Sequence, residues 1–148
     1  MAVMNELVAL EQERRAKRPA ELQAVMDQAT AELAASGMAD GFLQVGDAAP
    51  DFVLPDALGN AVTLADLRAQ DPVVLSFYRG AWCPYCNLEL QLLQQALPDI
   101  RALGATLVAI SPQTPDNSLS LADKYGLASS VLSDAGNAVA RRFGLVFT

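Results

Sequence analysis

Val73-Val74-Leu75-Ser76-Phe77-Tyr78-Arg79-Gly80-Ala81-Trp82-Cys83-Pro84-Tyr85-Cys86 is the stretch whose reading decides the fold. Its first part, Val73 to Tyr78, is a continuous apolar run between Asp71-Pro72 and Arg79-Gly80, the length and texture of a buried central strand. Beyond the cysteines, Leu88, Leu92, Leu93, Ala96 and Ile100 recur at helical spacing. The Cys-x-x-Cys therefore sits where a strand hands over to a helix. Pro84 suits the first helical position, where a missing N–H costs nothing. Two cysteines three apart in a first helical turn can close a small disulfide loop and reopen it. The unpaired N–H groups and the positive end of the helix favour a thiolate there, which lowers its pKa. Arg79, four residues before Cys83, is the nearest cation in sequence and a candidate second stabiliser.

Outward from this stretch, strands alternate with helices. Ala105 to Ile110 reads as a second buried strand and Ser130 to Leu132 as a short third one. Between them a helix is predicted from Asp116 to Tyr125, capped by Asp116 or Asn117 and stopped by Gly126. Another is predicted over Ala135 to Phe143, stopped by Gly144, with Leu145 to Phe147 starting a further strand. Pro98 should kink or end the helix that follows the cysteines. Upstream, Phe52 to Leu54 and Ala61 to Thr63 flank a turn at 56–60 and read as a hairpin, with a short helix near Ala65 to Ala69. Asp51 and Asp56 read as turn formers. The alternation predicts βαβ units, a largely parallel sheet and an α/β fold. Residues 1–40 form an N-terminal helical extension: one helix over 1–18, then another from Pro19 to Ser36 with Gly37 as its stop. Met4, Leu7, Val8 and Leu10 in the first, and Leu22, Val25, Met26, Ala29 and Leu33 in the second, mark faces that pack on the main body or serve a homodimer or partner contact. Ser36 to Gly46 is the linker.

Composition narrows the chemistry. With 148 residues, 52% of them apolar and only 18% charged, the chain is too hydrophobic for disorder and long enough to bury a core without disulfide staples. It contains no histidine, which excludes Ser-His, Cys-His and His-metal mechanisms within one chain. A net charge of -7 argues against nucleic acid or an anionic membrane as partner. With no signal-peptide pattern and no apolar run approaching the ~20 residues of a membrane span, the expected location is cytoplasmic, with reduced cysteines. One Cys-x-x-Cys supplies only two of about four zinc ligands, so no metal or cofactor is expected. Redox-active thiols are the leading reading; inert buried cysteines and a metal shared across a dimer are its rivals. Trp82 packs beside the thiols or shields them. Tyr78 belongs to the strand core or lends a hydroxyl to the site. Ser111-Pro112 ends a strand at the sheet edge where ligands gather, Ser111 serving as a loop cap. Arg141-Arg142 reads as a solvated helix face.

The segment from Val45 to Thr148 resembles the peroxiredoxins, thiol peroxidases of the alkyl hydroperoxide reductase and thiol-specific antioxidant family. The matching blocks are residues 45–54, residues 73–80, Trp82-Cys83-Pro84-Tyr85-Cys86, Leu132-Ser133-Asp134 and Arg142-Phe143-Gly144-Leu145. The resemblance implies a thioredoxin-like fold for residues 45–148, lacking the family's last strands and helix and its distal arginine. It also implies reduction of a hydroperoxide by a cysteine thiolate and recycling by a thioredoxin-like donor. In the peroxiredoxin register Arg79 stands at the usual Pro position, Cys83 at the usual Thr or Ser position, and Cys86 at the peroxidatic position. That register makes Cys86 peroxidatic and Cys83 resolving. In the thioredoxin register the attacker is Cys83, and the activity is thiol–disulfide exchange on proteins. A third expectation, motivated by the missing strands, is a redox-inert, partner-dependent protein.

Overall fold

The structure, a computed structural model, describes residues 2–146. Two helices come first, α1 (Ala2–Lys17) and α2 (Ala20–Ala35). Pro19 sits at the cap of α2, one residue ahead of its expected place, and Gly37 follows the helix at φ +73°. A 3₁₀ turn (Met38–Gly41) leads to the main body. There β1 (Val53–Pro55) and β2 (Ala61–Thr63) form the expected antiparallel hairpin. Asp56 holds its turn by accepting from the Leu58 and Asn60 amides, at 2.9 and 2.8 Å. Hydrogen bonds from Asn60 hold its carboxyl below the usual range. Asp51 accepts from the Ala65 amide at the start of α3 (Leu64–Gln70).

The remaining elements are β3 (Val73–Phe77), α4 (Pro84–Ala102), β4 (Thr106–Ser111), α5 (Pro115–Tyr125), β5 (Ser130–Ser133) and α6 (Ala138–Arg142). The three strands form a parallel sheet in the order β3-β4-β5, with Phe77 opposite Ile110 and Ser111 opposite Ser133. β4 is central, and its alternate side chains enter two apolar layers. Val108 and Ile110 meet Phe52, Leu54, Leu64, Leu132 and Val139 on the hairpin side. Ala109 meets Cys86, Leu90 and Val131 on the α4 side. Among the described residues no helix is long and apolar enough to cross a membrane.

Three local expectations need correction, and a fourth in part: Pro98 does not end α4, which runs on to Ala102. A proline forfeits one backbone bond, and the burial of the adjacent Leu97, 2% exposed, holds the last turns in place. Neither Asp116 nor Asn117 caps α5: the helix starts at Pro115, and the Asn117 side-chain amide donates to Thr114 Oγ1. The last helix is shorter than 135–143, because Asn137 takes a left-handed φ of +60° and blocks a helical start before it. Leu145 and Val146 are not a strand; Phe147, the last residue of that expected strand, lies outside the described residues.

Candidate active site

Cys83 is the N-cap of α4 and Pro84 its first residue, so the chain reaches the site already shaped for a helix. Both cysteines are free thiols and nearly buried, 2% exposed at Cys83 and 8% at Cys86. Cys83 Sγ accepts from the Cys86 backbone N–H at 3.4 Å and from the Cys86 thiol at 2.7 Å. A sulfur thus occupies the place where a capping oxygen normally takes an orphan helix donor.

These contacts divide the two thiols. Burial pushes Cys83 up, but the Cys86 thiol and amide, followed by the Arg79 guanidinium, outweigh it and leave Cys83 below the ordinary thiol value. Burial also pushes Cys86 up, and its role as donor to Cys83 pushes it further. The arrangement is a thiolate-prone cap sulfur held by a reluctant thiol one turn into the helix.

Arg79 is exposed, with its guanidinium 4.7 Å from the Trp82 ring centre. Trp82 is itself 67% exposed, so it is an outer platform for Arg79 rather than a shield over the thiols. Gly80, buried at φ +142°, permits this turn: a Cβ there would lie 2.8 Å from Trp82 Nε1. Two residues that the sequence reading passed over hold the turn from outside. Gln113 Oε1 accepts from the Ala81 amide at 2.9 Å, and Asn87 Nδ2 donates to the Ala81 carbonyl at 2.8 Å. Gln113 acts across 32 residues and nothing in its local sequence marks it, whereas Asn87 lies only six residues beyond Ala81, in α4.

A cavity of about 360 Å³ opens at the carboxyl ends of the three strands, bordered by Tyr78, Arg79, Ser111, Pro112, Asp134 and Asn137. Ser111-Pro112 stands where the sequence placed it, and Ser111 Oγ accepts from the Gln113 amide at 3.3 Å. The thiols are not part of its lining; Tyr78, which borders it, packs in one buried cluster with both. Tyr85, inside the Cys-x-x-Cys, donates its hydroxyl to Glu11 of α1, and Arg14 lies 5.7 Å from its ring. The N-terminal helix α1 is thereby tied to the Cys-x-x-Cys turn. Arg141 and Arg142 are exposed, as expected of a solvated face.

A buried thiol pair on the first turn of the helix leaving a parallel-sheet strand defines a thioredoxin-fold thiol protein. The chain belongs to the AhpC/TSA family, whose profile matches residues 45–148. A Mycobacterium tuberculosis protein of the peroxiredoxin group is 38% identical over 102 residues, covering 69% of this chain and 64% of its own length. Peroxiredoxin Bcp of Escherichia coli is 33% identical over 103 residues, covering 70% of this chain and 65% of its own. The chain thus spans just under two thirds of these relatives. A thiol–disulfide oxidoreductase, ResA of Bacillus anthracis, is 29% identical over 104 residues, covering 70% of this chain and 59% of its own. Among solved structures, the peroxidoxin BcpB of Mycobacterium tuberculosis superposes with a TM-score of 0.67 at 32% identity, covering 69% of this chain and 66% of that one.

Proposed function

We propose that the protein is a thiol peroxidase in which Cys83 attacks and Cys86 resolves. The observation that carries this assignment is the pair of hydrogen bonds given by Cys86 to Cys83 Sγ, which favour the thiolate on the cap sulfur. It reverses the roles that the peroxiredoxin register implies. In the first step the Cys83 thiolate attacks the terminal oxygen of a hydroperoxide. The O–O bond breaks, the alkoxide or hydroxide leaves with a proton from solvent, and Cys83 becomes a sulfenic acid. Cys86 sulfur then attacks that sulfur. The S–O bond breaks, and the departing hydroxide takes the Cys86 proton as water. The two thiols have supplied two electrons and hold a disulfide. An external dithiol of the thioredoxin type restores them by exchange. Arg79 supports the Cys83 thiolate from its place over Trp82.

A second reading has its own support. A lowered first cysteine at a helix cap equally suits attack on a protein disulfide, with Cys86 releasing the mixed disulfide. One experiment separates the two. Reduced protein is mixed with hydrogen peroxide or an alkyl hydroperoxide while Trp82 fluorescence is followed, in wild type, Cys83→Ser and Cys86→Ser. The expected result is peroxide consumption and a sulfenic acid trapped on Cys83 in Cys86→Ser. A sulfenic acid trapped only on Cys86 would restore the peroxiredoxin register. No peroxide consumption, with fast reduction of a protein disulfide, would establish the second reading instead.

A further inference from the structure

Tyr78 follows β3 directly and is pinned by its amide to the Ile110 carbonyl at 2.9 Å. Its side chain is 4% exposed and packs in the same buried cluster as Cys83, Cys86, Ala109 and Val131. Its hydroxyl is fully buried and has no hydrogen-bond partner among the described residues. The Ser111 and Ser118 hydroxyls lie near enough to act on it, yet neither makes a well-formed hydrogen bond with it. Ser118 and Ser133 bond each other at 3.1 Å, and Ser111 accepts from the Gln113 amide. A buried donor left unsatisfied is costly, and phenylalanine would fill the same space without that cost. The feature therefore calls for a partner that exists in another state of the site.

We propose that the partner is Cys86: the Tyr78 hydroxyl is the hydrogen-bond donor that steadies the Cys86 sulfur when it carries negative charge. In the resting pair Cys86 is a thiol donating to Cys83, and Tyr78 has nothing to do. The demand arises when the disulfide is opened. An incoming thiolate attacks Cys83 Sγ, a new S–S bond forms, the Cys83–Cys86 bond breaks, and Cys86 leaves with the electron pair. It then takes a proton from solvent, while Tyr78 keeps its own throughout. Burial pushes the Tyr78 phenol up and outweighs the lowering by the Ser111 and Ser118 hydroxyls, and a charge on Cys86 pushes it further, so it remains a donor at neutral pH. The other charged or titratable groups acting on Cys86 are Cys83 and Arg79, the latter through its backbone N–H as well as its charge. No histidine exists to take this part.

The proposal rests on the redox reading of the thiol pair but not on its oxidant, and it is tested without peroxide. The pre-formed disulfide is reduced with dithiothreitol in wild type and Tyr78→Phe. Cys86 alkylation is followed against pH in Cys83→Ser with and without Tyr78→Phe. The expected result is a roughly tenfold slower reduction, the size of one hydrogen bond to a charged group. The Cys86 alkylation profile should also move to higher pH. Thermal stability should stay level or rise, because the resting state loses only an unsatisfied hydroxyl. Unchanged reduction and an unchanged profile would overturn the proposal. So would a Tyr78→Phe protein that is destabilised or fails to fold, since that would show the hydroxyl already bonded at rest.

Discussion

Asp134 joins the end of β5 to α6, and removing its carboxylate gives a prediction with a magnitude. The residue is 2% exposed. Its Oδ1 accepts from the Val139 amide at 3.1 Å and its Oδ2 from the Ala140 amide at 2.8 Å. These amides lie in the first turn of a five-residue helix, where intrahelical partners for N–H groups are lacking. Hydrogen bonds to a charged group are worth about 1.5–3 kcal/mol each, and stranding a buried donor forfeits most of that. Asp134→Ala should therefore destabilise the protein by about 3–5 kcal/mol, a large share of the 5–15 kcal/mol typical of a domain. Asp134→Asn retains one acceptor and turns an N–H₂ towards the other amide, so it should lose about half as much. Urea titration followed by far-UV circular dichroism gives both values from the midpoint and slope. An alanine variant within about 1 kcal/mol of wild type would refute the reasoning, because the two amides would then not depend on this carboxylate. An asparagine variant as damaged as the alanine one would show that charge, not the number of acceptors, is what matters. The effect should reach the cavity, since Asp134, Asn137 and Ala140 form one of its walls.

Three further outcomes follow from groups already described. Cys86→Ala should raise the pH at which Cys83 becomes alkylated more than Arg79→Gln does, since it removes the thiol donor while the exposed guanidinium is screened by water and salt; rates with iodoacetamide against pH measure both, and a larger effect from Arg79 would invert the ranking of causes. Half-buried Glu89 has its carboxyl pushed above the usual 4.5 by burial. Its native state thus binds a proton more tightly than the unfolded chain, and that contribution is lost as pH rises through the raised value. Glu89→Gln should accordingly raise the urea midpoint at neutral pH, with the gain vanishing towards pH 4.5; a loss at neutral pH would contradict this. Tyr85→Phe removes the donor to Glu11, a partly exposed contact worth under about 1 kcal/mol, and should speed tryptic cleavage after Arg14 and Arg15 while leaving the unfolding midpoint of the main body unchanged.

The features legible in the sequence are those whose causes lie within a few residues. Pro84 at the first helical position and Gly144 after the last helix each depend on a local turn, and each stands where it was expected. The parallel sheet was legible because apolar runs alternate with helical patterns, which leaves few other ways to bury both. Features created by the packing of distant segments were hidden. Gln113 reaches Ala81 across 32 residues, and no local pattern marks it as part of the turn before Cys83. Pro98 does not stop α4, because it costs one lost backbone bond, while the apolar side of the helix supplies more than that through Leu90 and Leu97.

The absence of histidine now has a specific structural counterpart. The Cys83 sulfur is served by a backbone amide, a thiol and a guanidinium, and behind Cys86 lies a phenol whose own titration burial moves upward. None of the non-thiol groups has an ordinary titration near neutrality. A near-neutral inflection in the reactivity of this pair therefore belongs to the sulfurs themselves. Its acid limb follows Cys83, whose thiolate is favoured, and the reluctant Cys86 follows at higher pH. A site with an imidazole would mix a third titration into the same window. Here the order of the two thiols is set by which sulfur accepts: Cys83, at the helix cap, takes first the Cys86 thiol and then the Cys86 amide.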